Sequence, residues 1–159
     1  MLFRSIDDDG VILHESLAIN LYLAKKHGGP LGPANLAEDG EMTMWSMWAL
    51  CERAGVPAHV ADGGFEAMTL SVAMNGPKPE TLEALKGPFA QLDKALARTG
   101  WLVGGRFTVA DINVAEIVRY AAGTKALFDA NPNVKKWYDA CVGRPAYKKM
   151  WAEREAEPV

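Results

Sequence analysis

The tract Asp7-Asp8-Asp9-Gly10-Val11-Ile12-Leu13-His14-Glu15-Ser16-Leu17-Ala18-Ile19 constrains this chain more than any other part of it. Three acidic residues and a glycine are a turn signal, Val11 to His14 read as a short strand, and Ser16 opens a helix. Strands over 2–6 and 11–14 are therefore expected to pair as an antiparallel hairpin around Asp7–Gly10. An acidic residue and a serine at the head of an apolar helix also suit a small zwitterion. The first-turn N–H groups and the hydroxyl can take a carboxylate, and the Glu15 carboxylate an ammonium. An ordinary helix cap would use the same two residue types.

From Ser16 onward, Leu17, Leu21 and Ala24 recur at helical spacing while Ile19, Tyr22 and Leu23 widen the apolar face. Lys25-Lys26-His27 and then Gly28-Gly29-Pro30 end that helix, so this Gly-rich stretch terminates a helix rather than cradling a phosphate. Beyond it the chain reads as helix and loop. Glu38, Asp39 and Glu41 head a helix running through Met44, Trp45, Met47 and Trp48 to Cys51. A second long helix is predicted over 80–98 with a bend at Gly87-Pro88, and the economical arrangement packs these two as an antiparallel pair. A helix starting at Thr108 follows, then shorter ones over 125–130, 133–143 and 145–155, punctuated by Pro132 and Pro145.

At 159 residues, 49% hydrophobic and 23% charged, the chain is long enough to bury a real core. No apolar run approaches bilayer length, and Met1-Leu2-Phe3-Arg4 lacks the layout of a secretory signal, so a cytoplasmic location and no membrane partner are expected. A net charge of −3 argues against nucleic acid. The histidines His14, His27 and His59 are scattered, and no metal site is expected. Cys51 and Cys141 are expected to be reduced, buried thiols.

In Phe107-Thr108-Val109-Ala110-Asp111-Ile112, the Thr108 hydroxyl can cap a helix while Asp111 reaches back to the Thr108 N–H and Phe107 packs on Ile112. This is a folding device rather than a catalytic Thr–Asp pair, and losing the cap would cost about 0.5–2 kcal/mol.

Several tracts occur together in one order: Glu15-Ser16, Pro33-Ala34-Asn35-Leu36-Ala37-Glu38, the block from Trp101 to Asp111, and Trp137-Tyr138 followed by Gly143-Arg144-Pro145-Ala146-Tyr147. In this the chain resembles the glutathione S-transferase family. The resemblance implies a mainly α fold with the family's all-helical C-terminal bundle over 35–159, a linker over 28–34, and in 1–27 only the last β-hairpin and helix of a thioredoxin-like domain, whose N-terminal part is expected to be missing. It implies that Glu15 and Ser16 hold the γ-glutamyl end of glutathione as co-substrate. The family's catalytic Tyr, Ser or Cys falls in the part not covered, so no catalytic residue is assigned; Tyr22 and Tyr120 are expected to pack in apolar surroundings.

Family members usually carry a Val-Pro pair, with the proline cis, before the acidic turn, whereas this chain has Phe3-Arg4-Ser5-Ile6, so weak glutathione binding is expected. Met44, Trp45, Trp48 and Tyr120 are candidates to wall a pocket for a small electrophile, although core packing explains Trp45 and Trp48 equally well. The unpaired edge of the hairpin needs cover, and the resemblance implies a homodimer. The implied function is conjugation of glutathione to small electrophiles, impaired in this chain; the alternative is a non-enzymatic helical protein-interaction module.

Overall fold

The structure, a computed structural model, describes residues 5–52 and 64–157. Strands β1 (Ser5–Asp8) and β2 (Val11–His14) pair antiparallel, Ser5 opposite His14 and Asp8 opposite Val11. Asp7 and Asp8 thus belong to the strand, and the turn is only Asp9-Gly10. Both turn residues have positive φ, 53° and 86°, the two-residue geometry whose twist matches that of the flanking strands. Residues 2–4 of the expected first strand lie outside the described residues.

The helices are α1 (Ser16–His27), α2 (Leu36–Cys51), α3 (Gly64–Asn75), α4 (Pro79–Leu96), α5 (Val109–Arg119), α6 (Lys125–Ala130), α7 (Pro132–Val142) and α8 (Pro145–Glu155), with a 3₁₀ turn over Gly29–Leu31. The fold is mainly α, as the sequence implies. Helix α3 is the addition. It packs against α2 on one side and α4 on the other, which replaces the direct pairing expected of those two. Its buried stripe is Phe65, Met68, Thr69 and Val72, but Leu70 and Met74 on its outer side are apolar as well, so the amphipathic contrast that announces a helix is absent.

Helix α5 is the centre of the body, with Val109, Ala110, Val114, Ile117 and Val118 buried against α1, α2, α3 and α7. A ladder of rings crosses the core from Trp45 through Trp48, Phe65, Phe89 and Phe128 to Tyr138, with successive centroids 5.0–6.0 Å apart. Such edge-to-face and tilted pairs add to plain area burial. Leu17 and Ala24 of α1 join this same core. Cys141 is buried, and burial pushes its thiol up, whereas Cys51 is exposed. The expectation of two buried thiols fails for Cys51 because it falls on the outer stripe of α2 with Met44 and Met47.

Polar groups inside the body fix how the helices meet. The capping box at Thr108 and Asp111 is formed. Asp111 Oδ2 accepts from the Thr108 N–H at 2.8 Å and its hydroxyl at 3.1 Å, while Oδ1 accepts from Trp137 Nε1 at 2.8 Å and the Leu102 N–H at 3.2 Å. Burial raises the Asp111 pKa against the pull of these four donors. Phe107 stacks edge-on against Trp101 at 5.5 Å and lies under the Arg144 guanidinium at 3.8 Å. Asp93 of α4 caps α7 from outside it, accepting the N–H groups of Asn133 and Val134 at 2.7 and 3.1 Å.

The segment between α1 and α2 is clamped by Arg106. Its guanidinium donates to both Glu38 oxygens at 3.0 and 2.7 Å and to the carbonyls of Pro30 and Gly32 at 3.2 and 3.0 Å. Gly104 has φ +64°, and a Cβ there would fall 2.1 Å from Arg106 Nη1, so this clamp requires glycine. Arg106, with the Ala34 N–H, lowers the Glu38 carboxyl to about 2.

Urea unfolding is expected to separate the two capping-box residues: Thr108→Ala costs about 0.5–2 kcal/mol, and Asp111→Ala about 3 kcal/mol or more because it also strands the Leu102 N–H and Trp137 Nε1. Equal losses would contradict the tertiary role of Asp111. The depressed Glu38 value makes its contribution complete above its ordinary value of 4.5 and lost as pH falls toward about 2. The stability difference between wild type and Glu38→Gln should therefore stay constant near neutral pH and shrink over that acid window.

Candidate functional site

Glu15 and Ser16 sit at the N-terminus of α1. Glu15 is the N-cap residue with φ 68° and ψ 114°, a conformation that costs a non-glycine residue about 1–3 kcal/mol. Its carbonyl accepts the first helical bond, from Ile19 at 2.9 Å, while its side chain makes no capping bond. Both residues are exposed. The first-turn N–H groups of α1 thus have no cap from the Glu15 side chain, and the helix dipole favours an anion there.

The position of this end follows from how α1 is docked. Near its start, the Leu17 carbonyl meets Asn113 of α5, whereas Ala24 and His27 near its end share an open groove of about 260 Å³ with Val109 and Ile112. Helix α1 therefore runs against α5. Helix α2 runs with α5, since Glu38 stands beside Arg106 and Ser46 beside Asn113. Glu15 and Ser16 consequently lie at the end of the body toward which the last turns of α2, with Trp48, and of α5, with Tyr120, also point.

Helix α3 starts at this end too. Gly64 has φ +80°, and a Cβ there would come 2.3 Å from the Leu50 carbonyl oxygen, so the start of α3 abuts the end of α2. Glu66 in its first turn is half-buried, and its carboxyl is pushed up by burial and then by the charge of Glu15. The Glu66 carboxyl thus stands within electrostatic reach of Glu15 from a different helix. No local sequence signal marks Glu66, because the approach of α3 to α1 is purely tertiary.

The hairpin and linker hold α1 from its other sides. Tyr22 donates to Asp8 Oδ2 at 2.7 Å and Lys26 pairs with the same carboxylate, and these two hold the Asp8 pKa below the usual carboxylate range, Lys26 first. Lys25 pairs with Asp39 of α2 at 2.7 Å. The Tyr22 hydroxyl is therefore engaged with the hairpin.

The four residues expected to wall an electrophile pocket fall in three surroundings. Trp45 is buried and packs edge-on against the half-buried Trp48, their centroids 5.2 Å apart. Met44 is exposed on the outer stripe of α2. Tyr120 ends α5 beneath the Arg119 guanidinium, 4.5 Å from its ring centroid, and that guanidinium also lies 4.9 Å from Trp151 of α8. The Trp48 Nε1 is buried without a hydrogen-bond partner. Among the described residues no group of His, Cys, Asp and Glu could hold a metal ion, and no helix is long and apolar enough to cross a membrane.

Comparisons with known proteins agree with this architecture. The family model described as "Glutathione S-transferase, C-terminal domain" matches residues 60–145, more than half of the chain. Glutathione S-transferase 1 of Triticum aestivum is 28% identical over 156 residues, covering 90% of this chain and 68% of the relative. Among solved structures, glutathione S-transferase III in its apo form is similar with a TM-score of 0.71 and 28% identity, over 98% of this chain and 74% of that one. A glutathione transferase from Burkholderia graminis, with two glutathione molecules bound per subunit, gives a TM-score of 0.66 and 28% identity over 89% of this chain and 61% of that one. With its two-stranded hairpin, its buried capping box and its α-helical body, the chain belongs to the glutathione S-transferase family.

Proposed function

We propose that this chain serves glutathione-dependent conjugation of small electrophiles, with residues 1–27 the closing part of a glutathione-binding thioredoxin-like domain, 28–34 the linker and 35–159 the helical C-terminal domain. The observation that carries this is the open N-terminus of α1, where Glu15 is held at positive φ with no side-chain cap. A capping residue under selection for stability alone would bond the first turn from a relaxed backbone. Here the first-turn N–H groups and the Ser16 hydroxyl are left for the γ-glutamyl carboxylate, and Glu15, with Glu66 adding negative charge, for the ammonium. Trp48 lies at the same end of the body and supplies apolar wall for the electrophile.

A γ-glutamyl seat by itself gives weak binding, because immobilising the ligand must still be offset. Of the tyrosines described above, Tyr22 donates its hydroxyl to Asp8, the half-buried Tyr120 has its ring beneath the Arg119 guanidinium, and partial burial pushes Tyr138 up to about 12. We therefore expect the 159-residue polypeptide alone to turn over little substrate, and robust steady-state conjugation by it would contradict this.

One observation favours association. Leu36, Met44 and Met47 on α2 and Leu70 and Met74 on α3 are exposed apolar side chains, five on two helices that pack together. A homodimer covering this face fits both the enzymatic reading and the alternative of a non-enzymatic interaction module. Glutathione titration by calorimetry separates them. Saturable binding abolished by Glu15→Ala supports the enzymatic reading; no binding, with stable self-association in light scattering, supports the module. Glu15→Gly should stabilise the fold and raise its melting temperature, by about 1 kcal/mol once the greater chain entropy of glycine is set against the released strain, while losing glutathione binding. A drop in stability would show that Glu15 is kept for the fold.

A further inference from the structure

Asn113, in the middle of α5, is a fully buried amide among apolar side chains. Its Nδ2 donates to the Leu17 carbonyl at 3.3 Å and to Ser46 Oγ at 2.9 Å, and its Oδ1 accepts from Asn20 Nδ2 at 2.8 Å. Ser46 in turn donates to the Met42 carbonyl at 2.8 Å. One side chain thus bonds α1 twice and α2 once, from the helix that both pack against.

Burying such a network needs a reason, since an apolar residue of similar size would fill the same space without desolvating an amide. Apolar packing is non-directional, and α1 could rotate or slide on it at little cost. Hydrogen bonds of fixed geometry remove that freedom. The bond to Leu17 matters most for the site. Leu17 is the second residue of α1, directly after Ser16, and its carbonyl accepts a hydrogen bond from Asn113 Nδ2 at the turn that lacks a side-chain cap.

We propose that Asn113 is a positioning residue for glutathione binding, setting the rotation and register of α1 so that the Glu15–Ser16 end stands correctly against the end of α2. This rests on the reading of Glu15 and Ser16 as the γ-glutamyl seat. Asn113 touches no part of that seat's open surface and acts only through α1 and α2.

The test uses the full 159-residue chain and compares Asn113→Leu with Val134→Ala, a fully buried change on α7 that weakens the core without touching α1. Calorimetric titration with glutathione and amide hydrogen exchange over residues 17–24 are read on both. Asn113→Leu should raise the glutathione Kd about tenfold and speed exchange in α1 by a similar factor. Val134→Ala should lower Tm yet change both readouts by less than about twofold. Asn20→Ala, which removes one bond at a part-buried position, should shift both in the same direction by less, and it serves if Asn113→Leu does not fold. Unchanged Kd and exchange in the Asn113 and Asn20 variants, or equal shifts in Val134→Ala, would overturn the proposal. A flat titration of wild type would instead sink the glutathione reading itself, and α1 exchange would then decide by itself whether Asn113 fixes that helix.

Discussion

The Asp111 carboxylate, sealed inside the helical body, is the constraint on which the architecture rests. A buried charge is costly unless its lone pairs are met, and here the loop before α5, the cap of α5 and the indole of α7 each supply a donor. The three elements cannot move apart without orphaning a donor or the carboxylate. Two residues further along α5, Asn113 repeats the device toward α1 and α2 with a neutral amide. The central helix is thus apolar on most of its surface, with two polar keys that fix its neighbours.

These keys explain why a short hairpin and one helix ride on the body without a larger sheet around them in the described residues. An isolated two-stranded hairpin is marginal in water. Here β1 is tied to α1 through Asp8, Tyr22 and Lys26, and α1 to α2 through Lys25 and Asp39. Exposed ion pairs contribute little individually, so the docking of α1 depends chiefly on Leu17 and Ala24 in the core and on the Asn113 network. The Arg106 clamp then fixes the path of the linker, because a bidentate guanidinium that also reaches two carbonyls leaves that segment one conformation.

What the sequence made legible was local. The hairpin, with its turn shortened to Asp9-Gly10, the start and stop of α1 and the Thr108 cap each depend on residues within a few positions of one another, and these are found. Helix α3 was hidden because Leu70 and Met74 make its outer face as apolar as its inner one. The capping of α7 by Asp93, the charge of Glu15 reaching Glu66 and the Asn113 network join residues from 40 to 96 positions apart, and no spacing rule encodes them. At the candidate site the Glu15–Ser16 end was readable because helix-terminus chemistry is local. Where Met44, Trp45, Trp48 and Tyr120 would stand was not, since helical spacing cannot say which of the three on α2 turns inward; the core takes Trp45, the outer face takes Met44, and Tyr120 follows α5 under Arg119.

We propose the open first turn of α1 as the seat of the γ-glutamyl group, held in place by the helical body. Backbone amide NMR of the 159-residue chain during glutathione titration tests this most directly. The largest shifts should fall on the amides of Ser16, Leu17 and Ala18, with Glu15 and Glu66 close behind. Shifts confined to other parts of the chain, or none at millimolar glutathione, would contradict it.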